Sequence, residues 1–199
     1  MIDTYKTIEN PSQEYLYKSK NSKFFSYAFP ATNEEEIKSY LLQIKKQHHQ
    51  ARHWCYAWRL GVDPIKYRAN DDGEPSNTAG QPILRQLQSF EVTNILIVVV
   101  RYFGGVKLGV SGLISSYGAS AELCLTNTTI VTKKLTNLLK VSFSYELMNE
   151  VMRKVKKHNL QIKAQNFEED CILFIETPLT EKEQTRNILS TIYGVSVSG

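Results

Sequence analysis

The sequence is poor in cysteine, has no long apolar run and carries little excess of either charge. Its three cysteines, Cys55, Cys124 and Cys171, lie far apart, are odd in number and form no CxxC. That removes a disulfide framework and the usual zinc spacings, and leaves reduced, buried thiols as the expectation. The longest apolar run, Ile95 to Val100, falls far short of the roughly 20 residues that a bilayer-spanning helix needs. The opening stretch MIDTYKTIEN shows no basic-then-apolar export pattern, so a cytoplasmic location without membrane contact is expected. Residues 1–128 hold 14 basic and 12 acidic residues and residues 129–199 hold 10 and 8, so neither half is a basic arm. A strong electrostatic footprint for nucleic acid is therefore missing. Nucleotide fingerprints fail as well. Gly104 and Gly109 have P-loop spacing, but Val110-Ser111 stands where the lysine should be, and no GxGxxG, HExxH or GxSxG occurs.

What is present is an ordinary globular composition, 42% hydrophobic and 22% charged over 199 residues, enough for one large domain or two small ones. Residues 4–30 alternate loosely around Lys20-Asn21-Ser22, which predicts a β-hairpin ended by Pro30. Asn33 with Glu36, or Thr32 with Glu35, starts a helix. Its Ile37, Leu41 and Ile44 recur at helical spacing beside Tyr40, and Lys45, Lys46, His48 and His49 fall in its last turn. Residues 53–61 read as a strand with His53, Cys55, Ala57 and Arg59 on one face and Trp54, Tyr56, Trp58 and Leu60 on the other. The aromatic face is core or, alternatively, a stacking platform for bases. After the Asp63-Pro64 turn, Ile65 to Arg68 makes a further short strand. Ser76 or Thr78 then caps a helix with Pro82 in its first turn and Ile83, Leu84 and Leu87 buried. Ile95 to Val100 is apolar on both faces, as a strand covered on both sides would be. A helix rich in small residues follows from about Val110.

After the polar Thr126-Asn127-Thr128-Thr129 the pattern restarts. Leu138 to Ser144 predicts a strand, Tyr145 to His158 a helix, Leu160 to Phe167 a strand, Glu168-Glu169-Asp170 a turn and Cys171 to Glu176 a strand. Thr180 with Glu183 reads as the capping box of a helix ending near Gly194. The order βαββα, with little chain left for a last strand, predicts a ferredoxin-like domain. The whole reads as an α+β chain of two domains, 1–128 and 129–199.

Special residues crowd into Asp71 to Leu125. Arg101 ends the apolar strand and Tyr102, Gly104, Gly105, Lys107 and Gly109 follow. Backbone N–H groups at such a junction can cradle an anion, with Arg101 and Lys107 as its cations. The glycines serve equally for tight turns and close helix–sheet contact. Asp71, Asp72 and Glu74 offer carboxylates that, with His53 and Cys55, would make a hydrolase-type enzyme; adjacent acids in a turn are more ordinarily solvated. His48, His49 and His53 lack zinc-site spacing, so no metal or cofactor is expected. Arg153, Lys154, Lys156 and Lys157 form a basic patch opposite an apolar stripe, a solvated face or a phosphate contact.

Taken in order, Asp71-Asp72-Gly73-Glu74-Pro75, Thr78-Ala79-Gly80 with Pro82, Val100 to Gly105, Leu108-Gly109 and Gly112-Leu113 resemble the signature of the YigZ/IMPACT family. His53-x-Cys55-x-Ala57 resembles that family's preceding strand. The resemblance spans about 53–125, and residues 129–199 are similar to the extra domain of the bacterial YigZ type. It implies an N-terminal two-layer α/β domain similar to a small-subunit ribosomal protein and to the fourth domain of elongation factor G. It also implies a ferredoxin-like C-terminal domain. It marks His53, Cys55, Asp71, Asp72, Glu74 and Thr78 as surface candidates beside Arg101 and Lys107. Eukaryotic members of that family regulate translation by competing for an activator of the starvation-responsive initiation-factor kinase. A nucleic-acid or ribosome-linked role is the implication for a bacterial-type member. The expected function is thus a non-enzymatic cytosolic protein that binds RNA, the ribosome or a translation-linked protein. The hydrolase and a pure protein-interaction module are the alternatives.

Overall fold

The computed structural model describes residues 3–167 and 171–199. Its first elements are β1 (Thr4–Ile8), β2 (Tyr15–Ser19), β3 (Ser22–Pro30), α1 (Glu34–Gln47), β4 (His53–Leu60) and β5 (Lys66–Asn70). They continue as α2 (Gly80–Ser89), β6 (Ile95–Tyr102), α3 (Gly109–Thr126) and β7 (Ile130–Lys134). The described chain divides into two compact units, 5–133 and 134–199, the second including residues 3–4.

In the first unit an antiparallel sheet runs in the order β2-β3-β6-β4-β5. β6 is central because its alternation has no polar face to leave in water. Ile95, Ile97 and Val99 pack with Ile83, Leu87 and Tyr117 of α2 and α3. Leu96, Val98 and Val100 pack with Ile37 and Ile44 of α1. Helices therefore cover both faces, one layer more than the resemblance implies, and the doubly apolar β6 is the physical reason. Trp58 and Leu60 are buried in the α1 cluster, with Trp54 and Tyr56 packed against it, so the aromatic face of β4 is core. β1 and β7 pair in a small sheet of their own.

The helix starts follow the orphan N–H rule. Asn33 Oδ1 accepts the Glu36 N–H at 2.9 Å, as the capping pattern predicts, and Glu36 accepts the Thr32 N–H at 2.7 Å, one residue before the N-cap. The start of α2 differs from expectation. The Thr78 hydroxyl donates to the Pro75 carbonyl and caps nothing. Instead the Asp71 carboxylate reaches back and accepts the N–H groups of Asn77, Ala79 and Gly80 at 2.8–2.9 Å. A full negative charge at a helix N-terminus does this better than a hydroxyl.

The second unit adds β8 (Thr136–Phe143), α4 (Met148–Lys157) after a 3₁₀ turn, β9 (Gln161–Phe167), β10 (Cys171–Pro178), α5 (Lys182–Ser190) and β11 (Ser196–Ser198). The antiparallel order β11-β8-β10-β9 is the ferredoxin-like arrangement. Val141, Phe143, Leu173 and Ile175 of its sheet pack with Val151, Val155 and Leu189 of its helices. The last strand does form, within the chain's final residues. The turn expected at 168–170 lies outside the described residues. The Thr180–Glu183 capping box is absent, because Thr180 falls inside the 3₁₀ turn Leu179–Glu181 and α5 starts without a side-chain cap. Among the described residues no helix is long and apolar enough to cross a membrane.

Candidate functional site

β6 ends where β3 and β4 begin, and the antiparallel register sets Phe24 and His53 on either side of Arg101. Arg101 points to the α2–α3 side, into the interior. Its Nη1 donates to Glu74 Oε1 at 2.7 Å, and the two side chains are only 8% and 4% exposed. The guanidinium lies 5.7 Å from the Phe24 ring centroid and 5.6 Å from that of Phe103. The Tyr117 hydroxyl donates to the same Glu74 oxygen at 2.8 Å. A buried guanidinium needs such a partner. Arg101 is therefore an internal cation neutralised by Glu74, and the expected exposed anion contact is not there.

The other polar candidates are also held by structural bonds. Asp72 Oδ2 accepts the Trp54 N–H at 2.8 Å, with Lys45 Nζ at 3.8 Å from its other oxygen. His53 Nδ1 lies 2.9 Å from the Asp72 backbone carbonyl and so carries the proton. Cys55 is fully buried, its thiol donating to the Asp71 carbonyl at 3.0 Å. Burial pushes that thiol's pKa well above its ordinary value, which disfavours the thiolate a nucleophile requires. His53 turns to a carbonyl and Cys55 to another, so the geometry does not join them as base and nucleophile. His48 is the C-cap of α1 and is buried, whereas His49 is exposed. Among the described residues no group of three or more His, Cys, Asp and Glu is arranged to hold a metal ion.

The loop after β6 is different. Gly104 sits on the β2–β3 turn, where a Cβ would lie 2.1 Å from the Asn21 carbonyl carbon, so only glycine permits the contact. Its N–H donates to Ser22 Oγ at 3.2 Å. Beyond this pinned point Gly105 and Gly109 have φ of +85° and +74°, and Phe103, Val106, Lys107 and Val110 stand exposed. Lys20 and Lys23 of the hairpin, and Lys46 and Arg52 flanking the end of α1, are exposed around the same end of the sheet. With Lys107 they have no ion pair among the described residues. This end is basic because its cations face outward while Asp71, Asp72 and Glu74 are engaged inward. Sequence reasoning missed Lys20, Lys23, Lys46 and Arg52. The predicted turn at Lys20-Asn21-Ser22 was a signal for the first two, but its position beside the Gly104 loop needs the sheet order. In the second unit Arg153, Lys156 and Lys157 of α4 are exposed on the side away from the core, and Lys154 is half-buried on its flank.

Residues 20–125 match the Impact N-terminal domain. Over 183 residues the chain is 33% identical to IMPACT family member YvyE of Bacillus subtilis, covering 92% of this chain and 83% of that one. Over 185 residues it is 31% identical to an IMPACT family member of Haemophilus influenzae, covering 87% and 90%. A crystal structure of "an hypothetical protein" superposes with a TM-score of 0.76 at 25% identity, over 99% of this chain and 97% of that one. The matched domain holds every element around the basic end, from the β2–β3 turn to α3, and the chain belongs to the IMPACT family.

Proposed function

We propose that this protein is a non-enzymatic, translation-linked recognition protein and that the basic end of its first unit binds single-stranded RNA. The translation link rests on the family. The RNA reading rests on one observation: unpaired exposed cations ring an aromatic, glycine-pinned loop while the nearby acids are turned inward. Cations contact phosphates and exposed rings stack on bases. The non-enzymatic reading is supported by the engagement of Asp71, Asp72, Glu74 and Cys55 in structural bonds. The test is anisotropy of a labelled short single-stranded RNA across a salt series. Lys23→Ala with Lys107→Ala weakens binding and lowers the slope of log K against log salt by about 1.4, since each single-strand phosphate contact contributes about 0.7. Equal binding by wild type and variant, or no binding by wild type at low salt, defeats the reading.

A second reading, a protein-docking loop, is favoured by exposed Val106 and Val110, at 46% and 60% exposure. Pull-down with and without nuclease separates the two, since a partner bridged by RNA is lost on treatment.

A further inference from the structure

Beside the loop lies a recess of about 380 Å³ lined by Asn21, Lys23, Phe25, His48, Tyr102 and Phe103. Three distant stretches build it. The β3–β6 register sets Lys23 opposite Tyr102 and Phe25 opposite Val100, and His48 comes from the end of α1. The Phe25 and Tyr102 rings meet edge to face at 5.7 Å. Phe103 at the rim is 59% exposed. Lys23 is the cation of the lining and faces solvent.

The hydrogen bonds behind the recess set its polarity. The Tyr27 hydroxyl contacts a Glu14 carboxylate oxygen, His48 Nε2 and the Gln47 amide. A hydroxyl has one proton and a carboxylate only accepts, so Tyr27 donates to Glu14. His48 Nε2 must then carry its proton and donate to the Tyr27 oxygen. In the neutral ring Nδ1 is bare and accepts from the Tyr102 hydroxyl, 3.1 Å away. With its proton turned to His48, the Tyr102 oxygen has lone pairs left to accept. The recess thus combines π-faces, a fixed acceptor and a cation at its mouth.

That combination matches a heteroaromatic base, which is flat, bears N–H groups on its edge and carries a phosphate one sugar away. We propose that the recess takes one unstacked nucleobase, with Phe103 and Phe25 as stacking faces, Tyr102 Oη accepting from a base N–H and Lys23 meeting the adjoining phosphate. The inference rests on the RNA reading and deepens it by naming where a base is seated. A free nucleotide offers the same chemistry, so the test has two arms.

The intact chain is titrated with a short single-stranded RNA bearing 2-aminopurine and, separately, with AMP, CMP, GMP and UMP followed by NMR of the aromatic signals. The expected result is quenching of 2-aminopurine on binding, with Phe103→Ala weakening affinity about tenfold and removing most of the quenching. Tyr102→Phe keeps the ring and its packing, and weakens binding several-fold, so it carries the test should Phe103→Ala fail to fold. RNA binding without quenching, untouched by both substitutions, overturns the nucleobase pocket and leaves the RNA reading standing. Mononucleotides that shift the Phe25 and Tyr102 signals while RNA does not bind support the pocket and overturn the RNA reading. Binding in neither arm overturns both.

Discussion

Truncating Glu74 gives the sharpest test of the site's physical basis. Glu74→Ala leaves the Arg101 guanidinium, 8% exposed, without its carboxylate. Breaking a buried pair from one side costs about 3–5 kcal/mol, because the remaining charge is desolvated and unmatched. The Tyr117 hydroxyl loses its acceptor too, adding about 1 kcal/mol. Domains are stable by only about 5–15 kcal/mol, so the loss takes about a quarter or more of the total. At this size 1 kcal/mol moves the melting point by roughly 3–5 °C, so a loss of about 4–6 kcal/mol lowers it by roughly 12–30 °C. Thermal melts followed by circular dichroism, with urea midpoints as a check, measure it. Glu74→Leu combined with Arg101→Met should recover most of the loss, since replacing both partners leaves no orphan charge. A Glu74→Ala melt within about 2 °C of wild type would show that the pair is hydrated and not buried, and would return Arg101 to the list of free cations.

Two further outcomes follow from the same geometry. Asp71→Ala removes the acceptor of the Ala79 and Gly80 N–H groups at the start of α2 and of the Asn77 N–H in the turn before it; a loss of about 1–3 kcal/mol in urea denaturation is expected, and a loss below about 0.3 would assign the cap elsewhere. Burial holds the His48 imidazole below its usual value of 6.5. The unfolded chain therefore takes up a proton first as pH falls, so the His48 contribution to stability is intact above about 6.5 and declines below it until the folded group also protonates. Urea midpoints from about pH 7.5 to 5 should fall more steeply for wild type than for His48→Phe, and the opposite ordering would refute the burial argument.

Much of the local structure was readable in order along the chain. The Asn33–Glu36 cap, the faces of β4, the doubly apolar β6 and the ferredoxin-like order all follow from spacing and periodicity, which are local properties. The site was harder to read. Arg101 at the end of an apolar strand is a fair anion contact until its partner is known, and that partner, Glu74, is 27 positions away. Thr78 was a sensible cap by residue type, but the turn brings a stronger acceptor, Asp71, to the same N–H groups. His48 looked like a dipole-stabilising residue at a helix end, yet Tyr27 and Tyr102 enclose it. In each case short-range chemistry proposed a role and a long-range contact with better electrostatics took precedence.

Which segments become strands and helices, and how many faces each must bury, is written in the order of residues, because side-chain period and turn chemistry act over a few residues. That order also carries the glycine that lets the loop approach the hairpin, and the family signature. Which charges remain available is set by long-range packing. Inward-facing Asp71, Asp72 and Glu74 are consumed by backbone N–H groups, an arginine and a tyrosine, while Lys20, Lys23, Lys46, Arg52 and Lys107 converge outward from separate elements. A chain whose halves are nearly balanced thereby presents one basic, aromatic-edged end, because strand register sorts charges by direction and composition does not.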